Sequence, residues 1–284
     1  MRKIYLHEKK IMKKILLAFD GNHFSEGSFR MAAFLNEHEP ILATGVFLQS
    51  VDYRDIIGYS GISAGAPMTV SPPQTDETAI LKNIATFENR CLHAGMEFRV
   101  HRDTDLFALQ ELQRETRFAD MMILSAELFY NNIGADQPND YLKRVLRQTE
   151  CPILLVPENY ELPSKLMLTY DGKPDSVFAI KQFTYLFPQF YQWETRLITL
   201  EEEDEPIPHQ ELIQELAAKH FSNLTIEAVT TANEKNFATW VSEQTDHIMV
   251  SGAFGRSELS TLFHKSFLNT IIEEHRMPVF IAHR

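Results

Sequence analysis

Apolar residues fall along this chain in two alternating patterns. Short runs that are apolar at successive positions and rich in β-branched and aromatic residues predict strands buried on both faces. Between them, apolar residues recur at helical spacing, which predicts helices with one covered face. Alternation of the two is the signature of parallel strands joined by crossover helices. Strands are predicted near 13–19, 41–48, 97–101, 120–125 and 152–156, and again near 165–170, 194–200, 224–229, 247–251 and 278–282.

The second set of five repeats the first. Lys14-Ile15-Leu16-Leu17-Ala18-Phe19-Asp20-Gly21 returns as Lys165-Leu166-Met167-Leu168-Thr169-Tyr170-Asp171-Gly172, 151 residues later. Ala119 to Ser125 returns as Thr245 to Ser251, and Cys151 to Val156 returns as Met277 to Ala282, now 126 residues later. The last helical pattern of each copy matches face for face, Tyr141, Leu142, Val145 and Leu146 against Phe267, Leu268, Ile271 and Ile272. Asp140 and Ser266 precede these stripes at matching positions, each suited to cap a helix start. Two copies of one unit most simply make two similar domains, expected over 12–160 and 161–284. The expected fold is α/β: two tandem doubly wound domains, each a five-stranded parallel sheet flanked by helices. The linker is the short Glu158-Asn159-Tyr160-Glu161-Leu162-Pro163 segment, which should hold the domains against each other.

The change of offset assigns 25 extra residues to the first copy, most simply Asp52 to Asp76. That stretch holds Gly58, Gly61, Gly65, Pro67, Pro72 and Pro73, so it is expected to be a loop or lid. Gly61-Ile62-Ser63-Ala64-Gly65 inside it matches a nucleophile elbow literally, but that chemistry needs a strand before the serine and a helix after it.

At 284 residues and 44% apolar content the chain can bury a core in each copy. The net charge of −12 is spread over both, 17 Lys+Arg against 21 Asp+Glu in residues 1–160 and 10 against 18 in the rest. Such a balance argues against a nucleic-acid surface. The acidic run Glu201 to Glu205 reads as a solvated loop. Two cysteines 60 residues apart suggest neither a disulfide framework nor a zinc site, and the eleven histidines show no ligand spacing. Residues 1–11 lack the apolar stretch of a signal peptide, so folding is expected to start at Met12. With no run long enough to span a bilayer, a cytoplasmic protein without membrane contact is expected.

Two places carry candidate chemistry. Ser251-Gly252-Ala253-Phe254-Gly255 follows a strand and leads to a helix start at Ser266. Glycines there let backbone N–H groups approach an anion, and the helix N-terminus favours negative charge. A tight turn with a serine cap is the plainer alternative. Asp171-Gly172 ends the first strand of the second copy, where a carboxylate can accept from a ribose hydroxyl or a base amine. An Asx turn accounts for the same residues.

Together these features resemble the universal stress protein family, over nearly the whole chain and twice. The resemblance implies an adenine nucleotide alpha hydrolase-like fold and a tandem member. Nucleotide-binding members carry Gly-x-x-Gly, nine residues, then Gly-Ser or Gly-Thr, with an aspartate after the first strand. Gly252 and Gly255 match the glycines, Ser266 the hydroxyl and Asp171 the acid, while Lys265 stands in place of the third glycine. The implied ligand is ATP, with magnesium, or AMP. Asp171 and Gly172 would meet the ribose or base and Leu200 would line the adenine pocket; Gly252, Gly255, Arg256, Lys265, Ser266 and Phe267 would surround the phosphates. The first copy has Ala126, Phe129, Asn139 and Asp140 at the motif positions, with Glu127 beside them, so no triphosphate site is expected there.

Nothing in the sequence offers a paired acid and base, a metal cluster or a credible nucleophile. At most slow ATP hydrolysis would follow from positioning. Two rival readings stay open: a scaffold protein with both sites vestigial, whose domains mimic a homodimer, and a binder of a small apolar ligand beneath the 52–76 insertion near Tyr53, Tyr59, Phe129 and Tyr130. The partners expected are the two domains for each other and, beyond them, a second copy of the whole chain in a homodimer.

Overall fold

A computed structural model describes residues 12–20, 23–48, 77–102, 108–127, 149–201, 207–230, 244–252 and 277–282. In chain order the first copy contributes β1 (Lys13–Asp20), α1 (Glu26–His38), β2 (Ile41–Leu48), α2 (Glu77–His93), β3 (Glu97–Arg102), α3 (Ala108–Thr116), β4 (Met121–Ser125) and β5 (Ile153–Val156). The second contributes β6 (Lys165–Tyr170), α4 (Pro174–Leu186), a 3₁₀ turn (Pro188–Phe190), β7 (Glu194–Glu201), α5 (Gln210–His220), β8 (Asn223–Thr230), β9 (His247–Ser251) and β10 (Val279–Ile281). Among the described residues no helix is long and apolar enough to cross a membrane.

Each copy forms the five parallel strands expected, ordered β3-β2-β1-β4-β5 in the first and β8-β7-β6-β9-β10 in the second. The two sheets then join into one, ordered β3-β2-β1-β4-β5-β10-β9-β6-β7-β8. The joint is antiparallel, with Ile153 opposite Ile281, Leu154 opposite Phe280 and Leu155 opposite Val279. Leu154 and Phe280 are each other's counterparts in the repeat, so the pairing is isologous and a pseudo-twofold axis passes between them. Each copy thereby covers the strand edge that the other would leave open.

Strand residues are buried on both faces, as the continuous apolar runs require. Ile15, Leu17 and Phe19 face one layer and Leu16 and Ala18 the other, all at 1% exposure or less. On the first face one apolar cluster runs unbroken through both copies. It takes Met31, Ala32 and Leu35 from α1, Phe87 and Cys91 from α2, Ala179, Ile180 and Phe183 from α4, and Ile213 and Ala217 from α5. Each large side chain buried in this way stabilises the fold by about 1.5–3 kcal/mol. Ser25 caps α1, its hydroxyl accepting from Ser28 N at 3.1 Å. Pro174 opens α4 at a position where its missing N–H costs no bond. The two cysteines are buried and unpaired, and burial pushes both thiols up to about 12.

The copies differ in two connections. Part of the extra length in the first copy is helical, since α2 has 17 residues and α5 has 11; the 52–76 stretch lies outside the described residues. The second copy has an addition of its own. Only Glu39 and Pro40 join α1 to β2, whereas seven residues, Phe187 to Trp193, join α4 to β7 and fold as the 3₁₀ turn. Phe190 and Trp193 of this segment stack at 4.0 Å and lie against Phe34 and His38 of α1, across the junction between copies.

The linker is pinned along its length. The Arg30 guanidinium lies over the Tyr160 ring at 4.1 Å and donates to the Tyr160 carbonyl, while the Tyr160 hydroxyl donates to Gly27 O at 3.2 Å. Further on, Glu161 accepts from Thr245 Oγ1 at 3.0 Å, and Ser164 and Lys165 N–H groups donate to Asp246 O. A short linker thus becomes a fixed seam between the copies.

Candidate functional site

In the second copy the chain leaves β6 towards β7 on one side and returns from β8 to β9 on the other. The strand order therefore reverses between β6 and β9. In such sheets a crevice opens beyond the carboxyl ends of the two strands. Asp171 and Gly172 follow β6, Ser251 ends β9 and Gly252 comes next. Just below, Thr169 Oγ1 donates to Val250 O at 3.0 Å and ties the two strand ends together.

Each candidate residue here also has a local job. Asp171 Oδ1 accepts from Lys173 N at 3.0 Å, which is the Asx turn, and Oδ2 lies 3.8 Å from the Lys173 ammonium. Gly172 has φ +76°, a backbone that favours glycine, and a Cβ there would stand 2.7 Å from Pro208 Cβ. Pro208 is held over this turn by its carbonyl, which accepts from the Tyr170 hydroxyl at 2.7 Å. Burial, and then the charge of Asp171, raise the Tyr170 phenol above its ordinary value. Gly252 is required by close approach, since a Cβ on it would fall 2.2 Å from Asp175 C and 2.3 Å from Ser176 N. The end of β9 consequently touches the backbone of the first turn of α4, whose N-cap, Lys173, supplies no capping side chain. A helix start, a carboxylate and a glycine-bearing strand end meet at one crevice.

Of the other predicted site residues, Leu200 lies in β7 beside β6. Gly255, Arg256, Lys265, Ser266 and Phe267 lie outside the described residues, as do Phe129, Asn139 and Asp140 of the first copy.

The corresponding crevice of the first copy, between β1 and β4, is filled by the chain itself. Ser125 Oγ lies 2.9 Å from Glu158 Oε1 and 3.1 Å from Glu127 Oε2, a single hydroxyl between two carboxylates. Glu158 N donates to Glu127 Oε1 at 2.9 Å, and Glu158 Oε2 accepts from Gly27 N in the first turn of α1 at 3.0 Å. A tethered carboxylate thus takes the helix-start donor that an anionic ligand would use. Phe24, which follows β1, stacks on Phe19 of β1 at 5.0 Å, Phe19 stacks on Phe47 of β2 at 5.0 Å, and Phe87 of α2 closes the group edge-on. Glu158 was not singled out by sequence; its one signal is its place two residues beyond a strand end.

No protein-family model matches the chain. Among curated proteins it is similar to Universal stress protein Slr1230 of Synechocystis, 21% identical over 289 residues, covering 94% of this chain and 99% of that one. Among solved structures it is similar in fold to a universal stress protein from Archaeoglobus fulgidus, with a TM-score of 0.61 at 14% identity, covering 95% of this chain and 98% of that one. A functionally unknown protein from Pseudomonas aeruginosa, PA1789, has the same fold with a TM-score of 0.54 at 12% identity, covering 96% and 92%. The resemblance read from the residues thus holds along nearly the whole chain, in sequence and in fold, and it is a resemblance to universal stress proteins of tandem size.

Proposed function

We propose that this chain is a stress-response regulatory module of the universal stress type, whose second copy binds an adenine nucleotide, AMP or ATP with magnesium. The observation that carries the reading is the meeting of Asp171, Gly252 and the α4 N-terminus at the strand-order reversal between β6 and β9. The residues fit such a ligand. A ribose hydroxyl can replace the long ion pair between Asp171 and the Lys173 ammonium without disturbing the Asx turn. Phosphate finds a helix start with no capping side chain, while Gly255, Arg256, Lys265, Ser266 and Phe267 follow in the chain. The nucleotide would supply polyanionic charge and a purine face; the protein supplies acceptors for ribose and donors for phosphate. The first copy, with Glu127 and Glu158 in its crevice, binds no triphosphate on this reading. A cytoplasmic location goes with it.

A second reading is favoured by the local jobs of the same residues. Asp171 makes a turn and Gly252 makes room for α4, so a scaffold with no nucleotide would keep both. Isothermal titration with AMP and with ATP and magnesium separates the two. We expect saturable heat for at least one nucleotide, weakened about tenfold or more by Asp171→Ala through loss of a charged hydrogen bond, and abolished by Gly255→Trp. No heat at millimolar nucleotide overturns the nucleotide reading and leaves the scaffold.

A further inference from the structure

We propose that the second copy holds a binding site for a small monocarboxylate with an apolar, ring-sized body, in a cavity between the C-terminal ends of α4 and α5. The site lies at the amino-terminal edge of the strands, opposite the β6–β9 crevice, and is independent of nucleotide binding.

The cavity measures about 300 Å³, at the low end of the range for small-molecule sites. Its apolar lining comes from Phe187 and Phe221, which are buried, and from Tyr191, which remains 50% exposed. Tyr185, 58% exposed, stands near it with its ring edge-on to His220 at 6.1 Å. Both tyrosines leave half of their surface to solvent beside the cavity, where the apolar body of a ligand would cover it. The segment that builds it is the Phe187–Trp193 connection, which has no counterpart between α1 and β2. Packing of the copies uses Phe190 and Trp193 of that segment, whereas Phe187 and Tyr191 line the cavity.

Charge selects the ligand. Lys219 and His220 line the same cavity, and among the described residues Lys219 makes no salt bridge. The Ser222 hydroxyl and N–H both donate to Tyr191 O, and the Tyr191 hydroxyl accepts from Gln192, so the donors facing a ligand are the Lys219 ammonium, the His220 ring and the Tyr191 O–H. A cationic ligand would meet Lys219, and a neutral one would cover the ammonium without replacing its water. A multiply charged anion is disfavoured too. One ammonium neutralises one carboxylate, whereas any further negative charge would face the carbonyl ends of two helices, and α4 has no basic residue in its last turn to offset its share. One carboxylate on an apolar body satisfies all three conditions.

The test uses the full chain and three probes of one shape: phenylpropionate, phenylpropanol and phenethylammonium. Amide NMR shifts of His220 and Ser222 are followed at millimolar probe in the wild type, Lys219→Met and Tyr191→Ala. Both substitutions fall on exposed side chains, and a thermal melt checks that each variant folds. We expect phenylpropionate to shift these resonances saturably, Lys219→Met to weaken it roughly fivefold, Tyr191→Ala to weaken all binding, and phenethylammonium to leave the spectrum unchanged. Phenylpropanol binding as tightly as the carboxylate, an unchanged affinity in Lys219→Met, or no shifts with a folded wild type would each overturn the assignment.

Discussion

At the scale of single residues, His247 shows most plainly how one side chain can depart from its repeat. Its counterpart in the first copy is Met121, buried and apolar, yet His247 is equally buried and, among the described residues, neither ring nitrogen has a hydrogen-bond partner. Nδ1 lies 2.8 Å from Asp246 Oδ1 without the alignment of a hydrogen bond. Burial, the largest influence, lowers the imidazole pKa, and Lys165 and Arg196 lower it further against the opposing pull of Asp246. Asp246 itself ends below the ordinary carboxylate value: burial would raise it, but Lys165 and His247 more than offset that. Since the folded imidazole binds its proton less readily than the unfolded one, folding stability is present above about pH 6.5 and falls as the pH drops below it. Melting temperatures recorded from about pH 8 to about pH 5 should fall more steeply for wild type than for His247→Met, which installs the first copy's residue. Parallel curves would show that the buried imidazole is not the group that titrates.

At the scale of elements, packing at the strand ends uses the same residues that the sequence suggests for a ligand. Gly252 makes this plain, since the backbone of α4 occupies the space a methyl group would need. Gly252→Ala should cost about 3 kcal/mol, the upper end for overpacking, because the opposing atoms are main chain and cannot rotate away. Urea unfolding gives the value, and a loss under about 0.5 kcal/mol, the range of ordinary surface changes, would show that α4 can yield. The strand and helix assignments were legible because periodicity is local. The 3₁₀ turn was not, since Pro188 to Trp193 carries no repeated pattern and its aromatic residues find their partners on α1.

At the scale of the whole molecule, two copies behave as one body. The sheet continues through the β5–β10 pair, and one apolar cluster runs beneath both copies. Neither copy can unfold without exposing the other's inner strand and the aromatic contacts of Phe34 with Phe190 and Trp193. Calorimetry of the full chain should therefore show one cooperative transition, with calorimetric and van't Hoff enthalpies in agreement. Two resolved transitions would mean that the seam is weaker than the copies it joins.

What the sequence determined by itself was the alternation of strands and helices, the doubling of the unit, the parallel sheet expected in each copy and the residues at the strand ends. Those features rest on hydrophobic period and on comparison of one copy with the other, both of which are written along the chain. Tertiary structure alone decided that the two sheets join antiparallel at Leu154 and Phe280, that Pro208 closes over Gly172, and that Glu158 reaches Gly27, 131 residues away, to fill the first crevice. Such contacts pair groups distant in sequence whose types carry no mark of the partner. A glutamate beyond a strand end reads as solvated until a helix start is brought to it.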